Sequence, residues 1–217
     1  MADYTIYIGN KNYSSWSLRA WLMVKASGIA FDEVLIPLYQ PQSRAELLRH
    51  SPSGKVPALK HGEVVVWESL AIGEYLAERV PGAELWPADP AARAVARAIS
   101  TEMHAGFANL RRHLPMNMRS VFAGREIIPE IQTDLDRIAA IWRDCRRRYG
   151  AGGTYLFGGF TIADAMYAPV VSRLKTYRIA LDGEAQAYAE ALWATPALQE
   201  WLAAANNEPM VVEQFEF

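Results

Sequence analysis

Three short segments of this chain carry side chains that could do chemistry. The first is Ser14-Ser15-Trp16-Ser17-Leu18-Arg19, which follows a strand-like run and a polar turn. Hydroxyls placed there sit at a helix N-terminus, beside backbone N–H groups that no intrahelical carbonyl accepts. The helix dipole favours negative charge at that end. A thiol held there ionises more easily than at its free value of about 8.5. Lowering a thiol pKa by about two units takes about 2.7 kcal/mol. A charge-assisted hydrogen bond from serine, added to the dipole, can supply that. Simple N-capping is the other use of these serines and, for the segment alone, the commoner one.

The second segment is Ser53-Gly54-Lys55-Val56-Pro57-Ala58-Leu59. A proline at the head of an apparent strand cannot donate to a sheet ladder. With a cis Val56-Pro57 bond, the Val56 carbonyl and N–H could turn outward toward a ligand. With a trans bond, the segment is an ordinary edge-strand start. The third is Trp67-Glu68-Ser69, at a strand-to-helix junction. Ser69 at a helix N-terminus suits a carboxylate and Glu68 suits an ammonium group, so the pair fits an amino acid's α-carboxylate and α-amine. Singly, they read as a cap and a surface glutamate.

Other chemistries find less support. A serine nucleophile needs an adjacent base such as histidine, oriented by a carboxylate. The pattern Gly-x-Ser-x-Gly is absent here, and nothing marks His50, His61, His104 or His113 as that base. His104 and His113 are nine residues apart and would face nearly opposite sides of a shared helix. Without His-x-x-x-His or Cys-x-x-Cys, no metal site is expected. The single cysteine, Cys145, continues an apolar helical stripe, which predicts burial rather than reactivity. The arginines from Arg143 to Arg148 would occupy a solvated face near a helix C-terminus. Met116 and Met118 lie in a loop-like stretch, where flexible thioethers suit either a promiscuous apolar pocket or plain packing. Trp16 is a candidate wall for the same pocket.

These segments need elements to position them. Thr5 to Ile8 reads as a buried strand; Leu18, Trp21, Leu22 and Ala26 fall at helical spacing that Gly28 stops. Phe31 to Leu38 reads as a second strand and Ser43 to His50 as a short helix. Val56 to Leu59 and Val64 to Trp67 flank His61-Gly62 as a hairpin, and a helix runs from Ser69 to Arg79. Residues 1–80 therefore form a small α/β domain. Residues 81–90 hold three prolines and read as a linker. Residues 91–217 read as all-helical. One stripe holds Val95, Ile99, Met103, Phe107 and Leu110; another holds Ile131, Leu135, Ile138, Trp142 and Cys145. Thr161-Ile162-Ala163-Asp164 resembles a capping box with Asp in place of Glu or Gln. Pro169, inside the helix that follows, should kink it.

Composition bounds the partners. The chain has 217 residues, 51% of them hydrophobic and 21% charged, with a net charge of -2, as in an ordinary globular protein. That balance argues against nucleic acid as a main partner. No run approaches the roughly 18 apolar residues of a membrane span, and the N-terminus lacks the basic flank of a signal peptide. The expected setting is a reducing cytoplasm with no membrane partner, and a lone cysteine excludes an intramolecular disulfide.

Four motifs then gain meaning from their order. Ser-Ser-x-Ser-x-Arg follows the first strand and Lys-Val-Pro-Ala-Leu precedes the hairpin. Glu-Ser-Leu-Ala-Ile-x-Glu-Tyr-Leu opens a helix, and Thr-Ile-Ala-Asp follows Phe-Gly-Gly-Phe. Over essentially the whole chain this resembles the soluble glutathione transferases of bacteria. The resemblance implies a thioredoxin-like α/β domain that binds glutathione, followed by an all-helical domain that contributes the site of a small electrophile, in a homodimer. It implies that Ser14 or Ser15 contacts the sulfur, with the register leaning to Ser14. Lys55 and Val56, beside cis-Pro57, would hold the cysteinyl backbone, and Glu68 and Ser69 the γ-glutamyl end. Trp16, Met116 and Met118 would border the electrophile. The serine motif is most similar to the zeta class, which includes maleylacetoacetate isomerases. Zeta members usually carry Cys where Trp16 stands, and an arginine for substrate carboxylates where Thr176 aligns; Arg173 and Arg178 lie within a turn of it. The lack of cysteine in the first domain argues against cysteine-dependent thiol-reductase relatives. A binding or scaffold protein that kept the fold and lost turnover is the alternative.

Overall fold

The structure is a computed structural model, and it describes residues 2–217. Strands β1 (Tyr4–Ile8), β2 (Phe31–Leu35), β3 (Ala58–His61) and β4 (Val64–Trp67) form one sheet in the order β2-β1-β3-β4. β1 and β2 are parallel, with Tyr4 opposite Phe31; β3 is antiparallel to both β1 and β4. A parallel pair requires a crossover, and helix α1 (Ser15–Ser27) provides it. Its last turn closes on Gly28, whose φ of 72° is the left-handed conformation glycine adopts without strain. Helix α2 (Ser43–His50) leads to the hairpin, and α3 (Ser69–Arg79) follows β4. This is the thioredoxin-like arrangement that the resemblance implies.

Two strand limits differ from the sequence reading for one reason. β2 stops at Leu35 rather than Leu38 because Pro37 has no N–H to donate; the ladder ends with Ile36 N–H donating to Ile8 at 2.8 Å. β3 likewise starts after Pro57, at Ala58 rather than Val56.

The second half is helical throughout: α4 (Pro90–Ala105), α5 (Ala108–His113), α6 (Pro129–Tyr149), α7 (Ile162–Thr176), α8 (Gly183–Trp193) and α9 (Pro196–Asn206). The stripe expected from Val95 to Leu110 is divided, because α4 ends at Gly106 and Phe107 takes a φ of 57° before α5 begins. His104 and His113 therefore lie on different helices. Helix α7 runs through Pro169 as one helix and is buried along nearly its whole length, packed against α1, α4 and α8. One apolar core joins the halves: Leu18, Trp21 and Leu22 of α1 belong to the same cluster as Ile99, Trp142 and Tyr167. At about 25 cal/mol per Å² of buried apolar surface, that shared core fixes the seam between sheet and helices, where α1 begins.

Candidate active site

The turn between β1 and α1 is fixed by side chains from distant parts of the chain. Asn10 donates to Glu208 at 3.1 Å and accepts from Leu38 N–H at 2.8 Å. Asn12 Oδ1 accepts from the N–H groups of Met118 and Arg119 at 2.8 and 2.9 Å. The serine turn is thereby tied to the methionine loop of the helical half.

Ser14 is the N-cap of α1, and its Oγ accepts from Ser17 N–H at 3.3 Å and donates to Ser17 Oγ at 2.8 Å. Ser15 opens the helix, and its Oγ accepts from Arg173 Nη2 at 3.1 Å. No acidic side chain lies in the first turn of α1, so the positive end of its dipole has no local counter-charge.

Guanidinium groups gather behind this turn. Arg173, in α7, also donates to the carbonyls of Leu114 and Pro169 at 2.7 and 2.8 Å. Burial lowers its pKa to about 10; Tyr177 opposes that effect and Arg111 adds to it. Arg19 is buried, with its guanidinium 4.4 Å from the Trp16 ring centre, and neither Nη has a hydrogen-bond partner. Burial lowers the Arg19 pKa well below its usual value, with Arg173 and Arg111 adding to the effect. Asp134 acts on Arg111, but the burial and mutual repulsion of Arg19 and Arg173 still make the region receptive to an anion.

A cleft of about 540 Å³ opens here, lined by Ser14, Ser15, Trp16, Lys55, Val56, Arg111, Met116, Arg173 and Phe215 among others. A smaller space of about 210 Å³ adjoins it through shared Trp16, Lys55 and Val56, and adds Ser53, Pro57, Glu68 and His104. The Val56-Pro57 bond is cis. Glu68 holds a φ of 69° at the start of α3, where a non-glycine residue costs about 1–3 kcal/mol. Such strain is often concentrated at binding sites. Ser69, directly after it, is fully buried, and its hydroxyl has no partner.

The structure thus brings Ser14, Ser15, Trp16, Lys55, Val56, Pro57, Glu68 and Met116 to one continuous cleft. Ser69 lies just beneath the lining. Met118 is packed in the core and lies outside the lining, and its N–H donates to Asn12 Oδ1. Thr176, where an arginine is usual in zeta members, is also structural: its one hydroxyl proton is shared between the carbonyls of Asn117 and Ser172, at 2.6 and 2.9 Å. Of its neighbours, Arg173 reaches the cleft, whereas Arg178 lines a separate cavity between α7 and α8. Arg111 and His104 are cleft residues that sequence reasoning did not find. No pattern linked them to the motifs, since the break at Gly106 sets where both helices point.

Two family models match: the glutathione S-transferase N-terminal domain over residues 13–79, and the C-terminal domain over residues 123–204. The chain belongs to the glutathione S-transferase family. It is 28% identical over 171 residues to a probable maleylacetoacetate isomerase of Caenorhabditis elegans, covering 77% of each chain. It is 27% identical to glutathione S-transferase 3 of Zea mays, covering 88% of this chain and 90% of that one. Among solved structures, a glutathione transferase homologue from Burkholderia gl BGR1, with bound glutathione, superposes with a TM-score of 0.69 at 25% identity. That match covers 94% of this chain and 98% of the other. Among the described residues, no group of three or more His, Cys, Asp or Glu is arranged to hold a metal ion. Among the described residues, no helix is long and apolar enough to cross a membrane.

Proposed function

We propose that this chain is a glutathione-dependent transferase: it binds glutathione along the cleft, stabilises its thiolate at the Ser14-Ser15 turn, and directs it at a small electrophile. The carrying observation is the start of α1, which has no acidic residue in its first turn and has a guanidinium at 3.1 Å from Ser15 Oγ. An anion gains there from the dipole, from hydroxyl donors and from nearby cations together. The gain lies in thiolate population and position, with no covalent enzyme intermediate.

The two serines offer different routes. Ser14 can turn its proton from Ser17 Oγ to the thiolate while still accepting from Ser17 N–H. Ser15 accepts from Arg173 and keeps its own proton free to donate. In this reading residues 1–80 form the glutathione domain, residues 81–90 the linker and residues 91–217 the domain that offers the electrophile site. Lys55 and Val56 take the cysteinyl backbone; Glu68 and Ser69 take the γ-glutamyl end. The protein would work as a cytoplasmic homodimer; exposed Val64 and Trp67 on edge strand β4 support contact with a second copy.

A second reading has its own support. Arg111 and Arg173 line the same cavity as the serine turn, which suits an electrophile bearing a carboxylate, as in a zeta-like maleylacetoacetate isomerase.

An absorbance titration of the thiolate in the glutathione complex tests the main reading. The bound thiol should ionise about two units below its free value. A thiol pKa equal to that of free glutathione would refute the activation. Calorimetry showing no binding at millimolar glutathione would refute this and the catalytically silent glutathione-binding alternative alike.

A further inference from the structure

After α9 the chain returns to the serine turn and grips it at both ends, with a segment, residues 207–217, that lies beyond the stretch matched by the family models. Glu208 is buried and accepts from Asn10 Nδ2 at 3.1 Å and from Lys11 N–H. Glu216 accepts from Tyr13 O–H at 2.6 Å, from Asn117 Nδ2 at 3.0 Å and from the Ser120 hydroxyl at 3.1 Å. Tyr13 Oη in turn accepts from Arg119 Nη2 at 3.0 Å and from Val212 N–H at 3.2 Å, so its proton and both lone pairs are engaged. Phe215 stands between Tyr13 and Tyr39, with ring centroids 5.8 and 5.5 Å away, and all three rings line the cleft.

We propose that Glu216 is a positioning residue for the thiolate site: acting through Tyr13, it fixes the backbone that presents the Ser14 and Ser15 hydroxyls and seats Phe215 as a wall of the cleft. This rests on the glutathione reading above. Within the turn, Tyr13 and Ser14 N–H donate to the Asn10 carbonyl at 3.2 and 2.8 Å, and no strand ladder adds to them. A loop held by so few bonds of its own takes its shape from what is packed on it. Tyr13 directly precedes Ser14, so a displaced Tyr13 carries the Ser14 hydroxyl with it. A misplacement of about 1 Å can cost about 10²-fold in rate. The Glu216 charge is met by Arg119, with Nη2 3.9 Å away, so the role of the carboxylate is geometric.

The test is kcat/KM with glutathione and an aryl halide, together with the absorbance titration of the bound thiol. Both are measured on the full chain, on Glu216→Ala, Glu216→Gln and Tyr13→Phe, and on the Glu216→Ala/Tyr13→Phe double variant. Tyr13→Phe keeps a ring against Phe215 without the hydroxyl, so it serves if Glu216→Ala does not fold. Each of these two should lose about tenfold in kcat/KM, and their bound thiol should titrate about one pH unit higher than the parent's. The double variant should lose no more than the worse single one, because one contact carries both effects. Glu216→Gln still accepts from Tyr13 and should stay within about twofold of the parent. A Gln variant as poor as the Ala variant would assign the effect to charge and overturn the geometric role. Additive losses in the double variant would show that Glu216 does not act through Tyr13. A parent with an activated bound thiol, matched by both single variants, would sink this assignment alone. If the parent binds no glutathione, the transferase reading falls and this one with it.

Discussion

Two helix starts of the molecule share a hydroxyl residue at the N-cap and differ in what surrounds it. At α7, Thr161 and Asp164 form a closed capping box: the Asp164 carboxylate accepts from Leu156 N–H, from Thr161 N–H and Oγ1–H, and from Tyr188 OH, at 2.8–3.1 Å. It is fully buried. At α1, Ser14 caps the helix, but the first turn carries no acid, Ser15 faces a cleft, and arginines crowd behind it. The α7 start satisfies its donors within the fold. The α1 start leaves donors and positive potential for a ligand. A hydroxyl at an N-cap does not separate site from scaffold; the surplus of donors over acceptors does.

That contrast is most severely tested on stability. Asp164→Ala leaves four donors without an acceptor and should cost about 3–5 kcal/mol, whereas Ser14→Ala should cost about 1 kcal/mol. Urea denaturation measures both, and equal losses would erase the distinction. Asp164 also carries a pH signature. Burial pushes its pKa up to about 6, against the pull of its four donors. A raised folded pKa means that its contribution is complete below the unfolded value and is lost as pH rises through about 6. The stability difference between the parent and Asp164→Asn should therefore shrink from pH about 4 to about 7.

On activity the ranking reverses. Removing a donor from a developing or bound anion costs about 10²-fold in related settings, so the more important of Ser14→Ala and Ser15→Ala should lose about that much kcat/KM toward an aryl halide. Folded Asp164→Asn should lose little. A larger loss in Ser14→Ala marks the cap serine as thiolate donor, and a larger loss in Ser15→Ala marks the serine held by Arg173. Two unchanged variants would leave the α1 start a cap like any other.

The elements were legible because their signals are local. Gly28 ends α1 and Ser69 begins α3 where sequence places them, and β2 and β3 are shorter than their apolar runs because Pro37 and Pro57 have no N–H to donate. Of the three ordered pairs, Ser14-Ser15, Val56-Pro57 and Glu68 line the cleft, and Ser69 does not. What stayed hidden depends on contacts between elements. His104 and Arg111 reach the cleft from two helices that separate at Gly106, and Met118, unlike Met116, stays outside the lining. The positive φ of Glu68 likewise has no marker in its residue type.

Within the methionine loop the contrast predicts a small effect. Met116 lines the cleft and Met118 does not. Met116→Leu should shift KM for an apolar electrophile by about two- to fivefold, while Met118→Leu should leave KM unchanged and cost under about 1.5 kcal/mol of stability. A KM shift from Met118 alone would place the electrophile deeper than the cleft described.

The smallest expected effect concerns the chain's own thiol. Cys145 lies in α6, 1% exposed, and burial pushes its pKa up to about 12, with Asp144 adding to the rise. On the reading proposed above, a bound glutathione thiol would meet the opposite environment. At the α1 start, on that reading, dipole, hydroxyl and guanidinium would favour a bound thiolate; at Cys145 the charges of Arg148 and Arg137 only partly offset its desolvation. Because the thiolate is the reactive form, iodoacetamide at pH about 8 should leave Cys145 unlabelled in the native protein and label it fully in urea. Bound glutathione should be alkylated faster than free glutathione wherever the cleft admits the reagent. Native labelling of Cys145 would show that the core around α6 opens on the timescale of the reaction. Burial there would then no longer be what distinguishes the two thiols.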